Sequence, residues 1–246
     1  MSYEFAIFVQ ARMSSSRTPG KVLADINGKQ MLVRQIQRLK NKFSNTPVIC
    51  VTSDDADDDS IHEVCKINHF DCFRGSLNNV LDRFIEAAEH YRIKNIIRVG
   101  GDDPLIDVNA CEAVIDGYNN SLADFVFTSH IKGWPFGSAC ELISLSALKQ
   151  ISKKTVSALY LEHIIPWFHH YPNEFKIKKI NAPKEIYRPD YYFSVDYQED
   201  LELIRNIFTE LEPLGDYFQF IDVINLCDRY PNIINVNKHL HTGFEI

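Results

Sequence analysis

Arg12, Arg17 and Lys21 put three fixed positive charges within ten residues, in the stretch Gln10-Ala11-Arg12-Met13-Ser14-Ser15-Ser16-Arg17-Thr18-Pro19-Gly20-Lys21. Small polar residues let the backbone turn tightly and aim N–H groups at an anion. Arginine adds a fork that matches a phosphate, and lysine adds a point charge. This is chemistry for holding a polyphosphate, with Ser15 among the polar contacts. The Walker A spacing G-x-x-x-x-G-K-[ST] is absent, and so is the G-x-G-x-x-G dinucleotide turn. The competing reading is a solvated basic loop. Charge distribution argues against it: residues 1–42 carry eight Lys and Arg against Glu4 and Asp25, whereas the rest carries 18 basic and 31 acidic residues. A basic first segment on an acidic chain reads as a local anion site, not a nucleic-acid surface.

Two aspartates form the second constellation. Asp102 follows an apolar run through Gly100-Gly101, and Asp196 follows Tyr192-Phe193-Ser194-Val195. Each alone fits a helix cap or a turn. Two carboxylates facing a phosphate-binding loop, however, suit Mg²⁺, which takes a couple of carboxylates plus phosphate oxygens and water. The acids Asp54, Asp55, Asp57, Asp58 and Asp59 read instead as favouring a helix N-terminus. No histidine is obviously placed as a base. His163 is a candidate, although an isolated helical histidine commonly packs or caps; Glu141 and Glu162 are further candidates for contact with a sugar.

The elements that position these groups follow from periodicity. Apolar runs at about 4–10, 47–52, 71–74 and 95–99 read as strands, and helical spacing marks about 30–43, 58–68, 78–91 and 108–118. The alternation β-α-β-α-β-α-β-α implies a parallel sheet with helices on both faces, whose ligands bind beyond the carboxyl ends of the strands. The basic loop, Thr52-Ser53, Arg74 and Asp102 all fall at those ends. In the second half, strands are expected at 124–129, 140–145, 174–181 and 191–195. A helix is expected at about 155–170, kinked by Pro166, and further helices at about 198–211 and 217–229. With no repeat or linker, a single domain over 1–246 is expected, with a β-rich insertion at about 125–190.

Composition bounds the function. The 246 residues, 45% hydrophobic, suffice for a large α/β domain. A net charge of −7 argues against non-specific nucleic-acid binding. The six cysteines, at 50, 65, 72, 111, 140 and 227, form no C-x-x-C pair, so their spacing indicates neither a zinc site nor a redox dithiol; reduced, partly buried thiols are expected. No apolar run reaches the length of a signal h-region or a membrane span. The expectation is a soluble, cytoplasmic protein.

Eight motifs, taken in order, resemble the cytidylyltransferases that make CMP-activated acidic sugars, most closely the spore coat polysaccharide biosynthesis protein F branch. They are the basic stretch 10–21, Val-Thr-Ser-Asp-Asp (51–55), Phe-Arg-Gly-Ser (73–76) with Val-Leu-Asp-Arg-Phe (80–84), Arg-Val-Gly-Gly-Asp-Asp-Pro-Leu-Ile-Asp (98–107), Glu-His-Ile (162–164), and Arg-Pro-Asp-Tyr (188–191) with Ser-Val-Asp-Tyr-Gln-Glu-Asp-Leu (194–201). The resemblance implies a nucleotide-diphospho-sugar transferase fold, a Rossmann-like three-layer sandwich. It implies that Arg12, Arg17 and Lys21 hold the β- and γ-phosphates of CTP. Arg74 and Arg83 would lie near the base, the triphosphate or the sugar carboxylate, Asp102 and Asp196 would ligate Mg²⁺, and the protein would be a homodimer. The chain departs from the family at Gly100, where some relatives carry Gln or Thr. It departs again at Gly137–Glu141, where Ala139 offers no side-chain hydrogen bond to a sugar. Other readings are a sugar-1-phosphate nucleotidyltransferase using GTP or UTP, a glycosyltransferase, and a non-catalytic nucleotide-binding scaffold. The glycosyltransferase wants Asp-x-Asp at its metal, and the scaffold would be marked by loss of Lys21 or an aspartate.

Overall fold

A computed structural model describes residues 2–15 and 17–241; Ser16 of the basic stretch lies outside them. The chain opens with β1 (Tyr3–Gln10), whose centre Ala6–Val9 is wholly buried, as a strand covered on both faces must be. A small hairpin follows, β2 (Asp25–Ile26) and β3 (Lys29–Gln30), and leads into α1 (Met31–Lys42). Then come β4 (Val48–Ser53), α2 (Asp59–Ile67), β5 (Asp71–Gly75), α3 (Val80–His90), β6 (Ile93–Gly100) and α4 (Val108–Asn119). The second half supplies β7 (Phe125–Thr128), β8 (Glu141–Ser144), α5 (Leu145–Ser152), α6 (Ala158–Glu162), α7 (Ile165–His170), β9 (Ile177–Ile180), α8 (Gln198–Glu210), α9 (Phe220–Arg229) and α10 (Pro231–Ile234).

The main sheet has seven strands in the order β5-β4-β1-β6-β8-β7-β9. Only β8 runs antiparallel to its neighbours; every other pairing is parallel. Alternation along the strands sends side chains to opposite faces. Ile7 and Val9 join a core with α1, α2, α4, α8 and α9, while Ala6 and Phe8 join one with α3, α5 and α7. The result is the mostly parallel three-layer α/β sandwich expected from the sequence. Strands β7, β8 and β9, from the segment read as an insertion, extend this same sheet at one edge.

Three local expectations change. The helix expected over 155–170 is two helices: His163 is extended (φ −117°, ψ 99°), and Pro166 sits in the first turn of α7. Proline lacks the N–H that a continuous helix needs, so it starts a helix here rather than kinking one. Residues 191–195 are not a sheet strand; they make a single bridge, Phe136 to Tyr192, and cross the ends of the strands. The helix α5 was not expected; Ser144 caps it by accepting from the Ala147 N–H at 3.1 Å. All six cysteines are free. Among the described residues, no helix is long and apolar enough to cross a membrane.

Candidate functional site

Chain β1 leaves the sheet between β4 and β6, so the order of connections reverses beside it, and a crevice opens at the carboxyl ends. The basic loop fills one side. It is closed by the Gly20 N–H donating to the Met13 carbonyl at 3.0 Å, with Gly20 at φ +74°, a conformation glycine adopts without cost. Two anchors hold it. The Met13 N–H donates to Asp58 at 2.6 Å, and the Thr18 hydroxyl donates to the Asp196 carbonyl at 2.7 Å.

Lys21 is 7% exposed and stands at the centre. Its ammonium donates to Asp102 Oδ2 at 2.7 Å and to Asp196 Oδ1 at 2.9 Å. Burial disfavours its charge, but the Asp102 and Asp196 carboxylates outweigh that and raise its pKa. Burial likewise opposes ionisation of Asp196, yet Lys21, Tyr192 and Arg17 hold its carboxyl below the usual range. The Tyr192 hydroxyl donates to Asp196 Oδ2 at 2.7 Å, and Arg17 pairs with Oδ1 at 2.7 Å. The loop bearing Asp196 is pinned by Asp200, which accepts from the N–H groups of Asp196 and Tyr197, both at 2.8 Å. The two aspartate loops are themselves tied together, Val195 N–H to Asp102 carbonyl at 2.9 Å.

Gly100 and Gly101 make this possible. A Cβ at Gly100 would come within 2.6 Å of Asp103 Oδ2 and 2.7 Å of Asp102 Oδ1, and one at Gly101 within 2.7 Å of the Gln10 carbonyl. Gln35, buried beneath, donates to the Gly100 carbonyl at 2.6 Å and the Asp103 carbonyl at 2.8 Å. Burial and the neighbouring Asp102 charge push the Asp103 carboxyl up to about 8; Ser194 hydrogen-bonds to it.

Nine of the twelve candidate residues line one cavity of about 280 Å³: Arg12, Ser15, Arg17, Lys21, Arg83, Asp102, Glu162, His163 and Asp196. With Arg98, five cations face three carboxylates there. Arg12 pairs with Glu162 across the cavity at 3.1 Å. Arg83 is 1% exposed, and its Nε and Nη1 have no hydrogen-bond partner among the described residues. Burial, and to a lesser extent the nearby Arg12, lowers its pKa, while Asp58 works against them. A buried guanidinium with idle donors costs free energy until an anion meets it.

A second cavity of about 670 Å³ shares Arg17, Arg98, Gly100, Asp102 and Asp196 with the first. It continues past Glu141 to Phe125, Phe127, Phe136, Lys132 and Lys179. Glu141 pairs with Arg98 at 3.1 Å. Ser53 and Arg74 line neither cavity. Ser53 is fully buried and hydrogen-bonds to Asp58; Arg74 donates to the carbonyls of Ser53 at 2.9 Å and Asp55 at 2.8 Å, and pairs with Asp59 at 2.7 Å. Both brace the loop beneath the crevice.

The donor set fits a hard divalent cation. Asp102 and Asp196 converge on one ammonium, so their oxygens already stand around a common centre beside a polyanion-sized cavity. Asp58, read from the sequence as an acid favouring a helix N-terminus, makes no side-chain cap bond and instead anchors the basic loop; sequence reasoning does not single out Asp200, Tyr192 and Gln35 as functional. Of these only Asp200 carried a readable signal, three residues after Tyr197 at the start of a helical run; the others act through contacts distant in sequence.

Known proteins resemble this chain over most of its length. Residues 6–219 match the family model described as cytidylyltransferase. The chain is 27% identical over 234 residues to the spore coat polysaccharide biosynthesis protein SpsF of Bacillus subtilis, covering 93% of this chain and 96% of that one. It is 28% identical over 173 residues to a 3-deoxy-manno-octulosonate cytidylyltransferase of Photorhabdus laumondii, covering 66% and 64%. The solved structure of a cytidylyltransferase from Leptospira borgpetersenii superposes with a TM-score of 0.87 at 29% identity, over 94% of this chain and 97% of that one.

Proposed function

The chain belongs to the cytidylyltransferase family, and from that premise we propose that it transfers CMP from CTP to a hydroxyl of a small acidic sugar. Pyrophosphate is the other product, and the sugar nucleotide feeds surface polysaccharide or glycan assembly. The observation that carries this reading is the junction of the two cavities, where Lys21, Asp102 and Asp196 meet.

Arg12, Ser15, Arg17, Lys21 and Arg83 hold the triphosphate in the smaller, cationic cavity. Arg83 brings idle buried donors to it, so binding an anion relieves a cost the free protein bears. The acceptor occupies the larger cavity, where the aromatic side chains pack against its carbon skeleton and Lys132 and Lys179 meet its carboxylate. Its hydroxyl attacks the α-phosphorus in line through the shared wall, and the P–O bond to pyrophosphate breaks. Lys21, Arg12 and Arg17 stabilise the charge that builds on the leaving group. Asp102 and Asp196 would hold Mg²⁺, which when bound would polarise the α-phosphate and lower the pKa of the attacking hydroxyl. The remaining work of the chain is positioning of two polyanions. Glu141 bounds the acceptor's cavity and pairs with Arg98, whereas Glu162 and His163, expected to contact the sugar, line the smaller cavity assigned to the triphosphate. The protein acts as a cytoplasmic homodimer, with no nucleic-acid or membrane partner. Exposed Val156, Leu159 and Tyr171 around α6 and α7 offer the apolar surface for the dimer.

The names of the relatives support this reading: one is a polysaccharide biosynthesis protein, and another acts on a sugar acid. The test is thermal stability with CTP, UTP, GTP and ATP, each with and without Mg²⁺, followed by pyrophosphate release with a panel of acidic sugars. A ligand at ~100 times its dissociation constant adds about 2.7 kcal/mol, a shift of several degrees. CTP is expected to shift the midpoint most, and more with Mg²⁺. Preference for GTP or UTP would change the product; no shift with any triphosphate would overturn the site.

A further inference from the structure

Three of the six cysteines, scattered in sequence, meet in space. Cys50 and Cys72 are register partners on the parallel neighbours β4 and β5, so their side chains leave the same face of the sheet. Helix α2 packs over that face and brings Cys65 onto the pair. The three Sγ atoms all lie within 4.8 Å of one another. Cys50 and Cys65 are fully buried, while Cys72 is half-buried and gives the cluster a way to solvent. His62 stands one helical turn before Cys65 on α2, exposed; its imidazole lies outside that 4.8 Å group and would swing in to join it as a fourth ligand.

We propose that Cys50, Cys65, Cys72 and His62 form a binding site for a thiophilic divalent cation of the zinc type. Zinc takes four ligands in tetrahedral array, and three sulfurs with one imidazole nitrogen are a closed, structural set. Sulfurs bound at about 2.3 Å in that geometry stand about 3.8 Å apart, so the cluster contracts by about 1 Å at most. Soft donors also set this site apart in kind from the oxygen donors Asp102 and Asp196. Binding replaces S–H with sulfur–metal bonds and releases up to three protons. The ion ties α2 to the edge strand β5 and to β4 at Cys50, two residues before Thr52, whose hydroxyl helps hold the loop anchor Asp58 at 3.1 Å. None of this depends on the nucleotide reading.

The test uses the full chain purified under reducing conditions without chelator. Elemental analysis is expected to find close to one zinc per chain. Replacement by cobalt(II) should give a sulfur-to-metal charge-transfer band with the visible bands of a tetrahedral ion. Cys65→Ser and Cys72→Ser should lose that band, and Cys227→Ser, elsewhere in the core, should keep it. Should the first two fail to fold, His62→Ala on the exposed face of α2 is the working variant. Competition with a chromophoric chelator should show it binding zinc roughly tenfold or more weakly, with an unchanged circular dichroism spectrum. The proposal is overturned by a reduced wild-type protein with neither zinc nor a cobalt band, or by a band that survives Cys65→Ser. It is equally overturned by a disulfide among the three thiols in the protein as purified, or by an affinity that His62→Ala leaves unchanged.

Discussion

At the scale of single residues, two buried cations do different work. Lys21 sits between Asp102 and Asp196 and satisfies both. Lys21→Ala leaves two carboxylates facing each other and removes a preorganised charge beside the leaving group. Turnover, measured as pyrophosphate release from CTP, is expected to fall by ~10²-fold or more. Arg83 is the opposite case, because its Nε and Nη1 meet no partner among the described residues. Replacing a buried, poorly paired charge with an apolar side chain of similar length commonly stabilises a protein. Arg83→Met is therefore expected to raise the stability of the ligand-free protein by about 1–3 kcal/mol, read by urea denaturation, and to abolish most of the CTP-induced shift. A loss of stability would show that Arg83 is structural.

At the scale of elements, the site is held by buried acids at helix and loop ends. Asp58, 1% exposed, gathers Met13, Thr52 and Ser53 and so joins the basic loop to β4. Asp200 does the same for the Asp196 loop, and it also accepts from Asn237 at 2.7 Å. Asp107 caps α4, accepting from the Asn109 N–H at 2.9 Å. Burial pushes its carboxyl up to about 6, against the pull of Asn109 and Arg38. The unfolded value is about 3.9. Between about 4 and 6 the native state thus keeps a proton that the unfolded chain has released, so this stabilisation is complete below about pH 4 and is lost as pH rises to about 6. Asp107→Asn keeps the cap and removes the titration. The difference in unfolding free energy between wild type and variant, measured from pH 4 to 7, is expected to change across that window by about 2–3 kcal/mol and to be flat above it.

At the scale of the molecule, the crevice belongs to the sheet's topology. Arg12 follows β1 and Asp102 follows its parallel neighbour β6, so both reach the carboxyl ends of the sheet, where the Val195 N–H bond to the Asp102 carbonyl brings Asp196 to join them. The proposed homodimer covers the apolar surface at the start of α6, where Val156, just before the helix, is 94% and Leu159 47% exposed. Sedimentation at micromolar concentration is expected to give twice the chain mass, and Leu159→Asp is expected to shift the protein toward monomer. A wild-type monomer at that concentration would remove this face from consideration.

The sequence by itself determined the alternation of strands and helices, because burial on two faces or one leaves a period that survives in the chain. The same local rule placed the Arg12–Lys21 loop and Asp102 at strand ends, since each follows directly on an apolar run. Where two readings share a local pattern, tertiary structure decided. Residues 191–195 look like a strand, yet among the described residues no neighbour lies alongside for more than one bridge. Arg74 and Arg83 look alike as basic residues at element ends, yet one braces the acidic loop and the other lies buried in the cavity with idle donors. The cysteines show the limit most plainly. Spacing along the chain describes ligands only when they come from one hairpin or helix, whereas Cys50, Cys65 and Cys72 come from three elements. Their meeting is a property of strand register and helix packing, which no stretch of sequence carries alone.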